Sequence, residues 1–175
     1  SDEFRHKILF DEYVIQGTAW QMHAAKEVGV PLRAYEIAGT WTAIDTSLDK
    51  RPYLFPFLVS LLHDLTGYRQ ANAFVLNAVL AGACLALTGW IALAVTRRRA
   101  AAALAMVLLA TVPLFGQNAS GAGIEMINLA LIAAVAAAGI LCLRTPRDPD
   151  RLSLLAVGAV LLAHGRYESI LFAGN

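Results

Sequence analysis

Between Ala71 and Thr96 the chain carries no charged residue, and its two amides, Asn72 and Asn77, lie near the start of the run. A helix needs about 20 mainly apolar residues to cross ~30 Å of hydrocarbon. There each backbone N–H and C=O must be satisfied within the structure itself. The run therefore predicts a membrane span. Three more are expected at 100–116, somewhat short and with Pro113 near its end, at 123–143, with the single charge Glu125, and at 152–172, which meets His164, Arg166 and Glu168. Composition agrees: 58% of the 175 residues are hydrophobic and 15% charged, against about half and a quarter in an ordinary soluble domain. A soluble single domain and a disordered chain are excluded on this basis. The formal net charge is +1, so no bulk field recruits polyanions and nucleic acid is not an expected partner. The expected fold is all-α: a fragment of a polytopic membrane protein, with about four transmembrane helices in 71–175 and an N-terminal extracytoplasmic loop, 1–70, containing juxtamembrane helices.

The charges are unevenly placed. Residues 1–69 hold nine of the 13 acids and seven of the 14 bases. The short loops rich in Arg, 97–99 and 144–151, are assigned to the cytoplasm because cytoplasmic loops carry excess Lys and Arg. Two spans separate them, so the assignment is self-consistent. It places 1–70, the 117–124 loop and the Arg166/Glu168 pair outside. A chain that begins outside, with neither signal peptide nor initiator Met, is expected to follow a preceding span.

Within the outer segment, Tyr13–Val28 has helical spacing, with Val14, Ala19, Trp20, His23 and Ala24 available for one face. Gly29, Val30 and Pro31 break it. Pro52–Leu65 is apolar and aromatic but too short to span, and it contains His63 and Asp64, which predicts an interfacial helix ended by Gly67. Arg69 stands at the mouth of the first full span. There are no internal repeats. Cys84 and Cys142 sit in apolar runs and suggest neither a disulfide nor a zinc site.

Several residues can carry chemistry. Asp11 and Glu12 are adjacent acids between Phe10 and Tyr13. One of them can act as a general base or a metal ligand; equally, acids at a helix start complement the macrodipole. Lys50 and Arg51 at the membrane surface can hold a lipid phosphate as a point charge and a bidentate fork, or simply snorkel to headgroups. Glu125 is an acid at the end of an apolar span, which usually faces a cavity or partner; the plainer reading is a helix N-terminal acid capped by Ser120 and Gly121. Arg166 and Glu168 form an ion pair or part of a polar cavity. His164 reads as a packing or hydrogen-bonding histidine rather than a ligand, and the Asn118-Ala-Ser120 sequon is discounted.

Four stretches together resemble the C-type glycosyltransferase superfamily (GT-C), the multi-spanning enzymes that use polyprenyl-phosphate-linked sugars. The branch most similar contains protein O-mannosyltransferases and the lipid A aminoarabinose transferase. The stretches are Phe10-Asp11-Glu12-Tyr13; Asp49-Lys50-Arg51-Pro52-Tyr53-Leu54-Phe55-Pro56, where Arg51 replaces the first Pro of the family's Lys-Pro-Pro-Leu segment; Arg69 and Asn77 through Arg97-Arg98 to Leu108–Phe115; and Ala163-His-Gly-Arg166-Tyr-Glu168. The resemblance implies a hexosyl or pentosyl transferase in a bacterial inner or plasma membrane, with its active site facing outward. Its partners would be a polyprenyl-phosphate-linked sugar donor, membrane lipid and a protein, lipid or glycan acceptor. It further implies catalytic roles for Asp11, Glu12 and Glu125 and lipid-phosphate contacts for Lys50, Arg69, Arg166 and Glu168. A divalent metal ion on Asp11 is the one cofactor it admits. The alternative is a transporter or lipid flippase without transferase chemistry. Transporter sites lie near the bilayer midplane, often at broken helices, whereas the polar groups here gather at one face. A structural subunit would have no use for the acid-bearing outer segment.

Overall fold

A computed structural model describes residues 10–165. The elements run α1 (Phe10–Ala24), β1 (Val30–Ile37), β2 (Thr40–Ser47), α2 (Leu54–Thr66), α3 (Ala71–Thr96), α4 (Arg99–Ala110), α5 (Pro113–Ala119), α6 (Glu125–Arg144) and α7 (Pro149–Gly165). They divide into two units. The first holds residues up to 76 together with 121–123; the second holds 77–120 and the residues from 124 onward.

In the first unit α1 starts with Asp11 and Glu12 in its first turn and ends with His23 in its last, the charge order that the helix dipole favours. It packs on α2, and Ile15 and Ala19 of α1 and Phe55 and Val59 of α2 are all buried. The buried stripe of α2 is Phe55, Val59 and His63, a four-residue repeat on one face. Pro56 is tolerated because it falls in the first turn, where no intrahelical N–H is needed. Gly67 closes the helix at φ 81°, as its position predicts.

The segment after Gly29 corrects the all-α expectation. Val30 and Pro31 open a strand, and β1 and β2 form an antiparallel hairpin with Ile37 opposite Thr40 and Val30 opposite Ser47. The two turn residues, Ala38 (φ 51°) and Gly39 (φ 79°), both lie in the left-handed region. Two consecutive positive φ angles match the right-handed twist of the flanking strands. The β-branched and aromatic residues of Thr40-Trp-Thr-Ala-Ile-Asp-Thr are the sequence signal that favours this pairing.

In the second unit α3 and α6 are each long and apolar enough to cross a membrane. The other two expected spans are not shown in full. The run at 100–116 is not one helix: α4 and α5 meet at a 73° bend and count as a third span only if taken together. Pro113 opens α5 and lacks an N–H, and Val112 before it is extended, as the residue preceding a proline prefers. The run at 152–172 falls on α7 as far as Gly165; from 166 onward it lies outside the described residues.

Small residues let these helices approach closely. A Cβ on Gly158 would meet Val135 Cγ2 at 3.3 Å and one on Gly165 would meet Leu131 Cδ1 at 3.1 Å. On α3, a Cβ at Gly89 would collide with Met106 Sδ at 2.6 Å. Ala81, Cys84, Phe115, Met126 and Ala133 form a buried apolar cluster. The Arg144 guanidinium donates to the Ala94 carbonyl, which joins the end of α6 to the last turn of α3.

The hairpin makes a direct prediction. Gly39→Val forces a β-branched side chain to φ +79° and is expected to cost the hairpin about 1–3 kcal/mol. Ala38→Asn suits the turn and is expected to leave the hairpin intact. Native-state hydrogen exchange of the 30–47 amides reads both: faster exchange for the valine, unchanged or slower exchange for the asparagine.

Candidate functional site

The adjacent acids that open α1 diverge, because successive helix positions are about 100° apart. Glu12 turns inward and is 7% exposed. Its Oε1 accepts the Ala122 backbone N–H at 2.8 Å, which ties residues 121–123 to the start of α1. Asp11 turns outward, its side chain 70% exposed. There its carboxylate accepts from the Arg51 guanidinium.

Arg51 bridges two acids. Nη2 donates to Asp11, and Nη1 donates to Asp49 Oδ2 at 2.6 Å. Asp49 is itself fixed by the turn that leads into α2. Its Oδ1 accepts the Lys50 backbone N–H at 2.8 Å, and its carbonyl accepts the Tyr53 hydroxyl at 2.5 Å. The Asp49 and Asp11 hydrogen bonds raise the Arg51 pKa beyond its already high value. Lys50 is exposed. The motif directed attention to Lys50, yet Arg51, the residue that departs from the family pattern, is the one that meets Asp11.

The remaining expected residues fall as follows. Arg69 is exposed in the turn before α3, where its carbonyl accepts the Asn72 N–H at 3.0 Å. Glu125 belongs to the second unit and is the exposed first residue of α6. Ser120 and Gly121 do not cap that helix: its N-cap is Ile124, with no side-chain cap bond. Ser120 Oγ instead donates back to the Gly116 carbonyl at 3.0 Å. His164 bonds its own helix, Nδ1 to the Val160 carbonyl at 2.9 Å. Arg166 and Glu168 lie outside the described residues.

A metal ion on Asp11 does not fit this arrangement. Among the described residues, no group of three or more His, Cys, Asp or Glu side chains could hold a metal ion. The Arg51 guanidinium already occupies the position that a cation shared by Asp11 and Asp49 would take.

A second polar cluster, which sequence reasoning missed, fastens α1 to α2. Asp64 accepts from both His23 Nδ1, at 2.5 Å, and Lys26 Nζ, at 2.8 Å. His63 is buried and accepts at Nδ1 from the Asn72 amide at 2.8 Å. Its ring packs against those of His23, 5.7 Å away, and Tyr68, 5.0 Å away. His23 and Asp64 are 41 positions apart, and no local spacing rule pairs residues at that separation.

No protein family, curated protein or solved structure matches this chain.

The cluster sets a pH dependence. Burial, and then the neighbouring His23, push the His63 pKa below the ordinary histidine range, with Asp64 opposing. A lowered histidine pKa means that the fold prefers the neutral ring, so stability falls as pH drops below about 6.5. Asp64 is held below the usual carboxylate range by its bonds from Lys26 and His23. Its contribution is therefore present above pH ~4 and is lost only as pH falls further. The thermal unfolding midpoint in detergent is expected to decrease from pH 7 to pH 5, and His63→Gln is expected to flatten that decrease. An unchanged slope in His63→Gln would refute the assignment.

Proposed function

We propose that the protein is an integral membrane glycosyltransferase that moves a sugar from a polyprenyl-phosphate donor to an acceptor on the extracytoplasmic side. The observation that carries this reading is the Asp11–Arg51–Asp49 bridge beside Lys50, at the entrance to the apolar helix α2. It sets an exposed carboxylate on a guanidinium, with Lys50 the preceding residue. Transfer of a sugar away from a lipid phosphate calls for that pairing.

In the proposed reaction the donor phosphate draws Arg51 from Asp11, because a guanidinium grips phosphate bidentately. Asp11, so released, takes the proton of the acceptor hydroxyl. The acceptor oxygen bonds to the anomeric carbon while the bond from that carbon to the phosphate oxygen breaks, its electron pair leaving with the phosphate. Arg51 and Lys50 stabilise the charge that develops there. Glu12, buried on a backbone N–H, positions the start of α1 rather than meeting substrate. Arg69 is a further contact for the lipid phosphate in this reading.

A carrier or flippase is the second reading, favoured by the 73° break between α4 and α5, since discontinuous helices often form transport sites.

One assay separates the two. Membranes bearing the protein are supplied with a polyprenyl phosphate carrying a radiolabelled sugar. The transferase reading predicts label in a covalent acceptor product and release of polyprenyl phosphate. Asp11→Asn is expected to slow this by about 10²-fold or more, the usual contribution of a general base. Undiminished transfer in Asp11→Asn, or intact donor crossing the bilayer without product, would overturn it.

A further inference from the structure

A cleft of about 270 Å³ opens in the first unit, on a face of α1 away from Asp11. Tyr13, Gln16 and Trp20 recur at three- and four-residue spacing and so share one side of the helix. Trp41 of β2 faces them, and Tyr68 and Gln70 close the rim from the turn before α3. Neither these six residues nor the others lining the cleft carry a charge. Phosphates, nucleotides and ionic peptides are therefore poor occupants.

Two features narrow the chemistry further. Four aromatic rings offer electron-rich faces, which attract the slightly positive C–H groups of a saturated ring. Two amides add donors and acceptors, and among the described residues the buried Gln16 Nε2 has no hydrogen-bond partner. A buried donor left unpaired is costly, so an occupant that brings acceptors is favoured over one that does not. An isoprenoid or acyl chain would cover the rings and leave the amides unanswered. A neutral pyranose presents C–H patches to the rings and hydroxyls to Gln16 and Gln70. The volume lies just under the ~300–1,000 Å³ of sites for drug-sized ligands, which suits one sugar ring. Burial raises the Tyr68 pKa, against the effect of its bond to Gln70, so its phenol remains a neutral hydrogen-bonding group at physiological pH.

We propose that this cleft is a binding site for a neutral sugar ring, held by stacking on Tyr13, Trp20, Trp41 and Tyr68 and by hydrogen bonds to Gln16 and Gln70. The site goes beyond the transfer reading and does not rest on it: sugar binding here requires neither Asp11 nor a lipid-linked donor.

The test uses the whole chain in lipid nanodiscs, which avoids sugar-based detergents. Two of its three tryptophans line the cleft, so intrinsic fluorescence reports occupancy. The probes are the methyl glycosides of mannose, glucose, galactose and arabinose, with farnesol as the isoprenoid comparison. Saturable change with at least one glycoside is expected, weakened tenfold or more in Trp41→Ala and in Gln70→Ala and largely retained in Trp41→Phe. Asp11→Asn should leave this binding unchanged even where it abolishes transfer, which keeps the two readings separable. Circular dichroism of each variant checks the fold. Three results would overturn the site: no saturable response to any glycoside, a response indifferent to both alanine variants in folded protein, or a response to farnesol alone.

Discussion

The buried Glu12 carboxylate orients the start of the first unit: it accepts the Ala122 N–H, between residues 110 positions apart. Burying a carboxylate without partners is prohibitive. A backbone N–H and the positive end of α1 offset that cost, and a hydrogen bond to a charged group is worth about 1.5–3 kcal/mol. The orientation of α1 follows. With Glu12 turned inward, Asp11 must point out, where Arg51 meets it. Tyr13, Gln16 and Trp20 then fall on another face and meet the hairpin. One helix thus carries a charged site and a neutral cleft, kept apart by helical periodicity.

These two environments differ in chemistry. The Asp11–Arg51–Asp49 bridge is charged, with the Asp11 carboxylate exposed. The cleft is uncharged and aromatic, and the Gln16 Nε2 in its wall has no partner among the described residues. The His63 cluster lies between α1 and α2 and locks the two helices together at the ends distant from Asp11. Its task is to hold the geometry rather than to react.

Much of the helical framework was legible in the residues. Uncharged runs marked α3 and α6, apolar spacing marked α1 and α2, and Gly67 marked a helix end. The hairpin was not read, because Arg33, Glu36 and Asp45 interrupt the apolar pattern and Gly29-Val30-Pro31 looked only like a break. Ala38-Gly39 was the overlooked signal: a small residue and a glycine between β-branched stretches. Pro113 was seen near the end of a run, but a proline's position alone does not give a bend of 73°. The Asp11–Arg51 and His23–Asp64 pairs were beyond sequence reasoning for a common reason. Each joins residues about 40 apart, and only the packing of α1 on α2 brings them together. Attention to motif placed the weight on Lys50, while geometry places it on its neighbour.

The account stands on sidedness. The hairpin and the Asp11 site must face away from the cytoplasm, and the arginine-rich loops must face into it. The most direct measurement introduces Leu48→Cys or Arg98→Cys into a chain whose Cys84 and Cys142 are replaced by alanine, then treats intact cells with a membrane-impermeant maleimide. Leu48→Cys is predicted to label at once, and Arg98→Cys only after the membrane is opened. Labelling of Arg98→Cys in intact cells, with Leu48→Cys protected, would contradict the account.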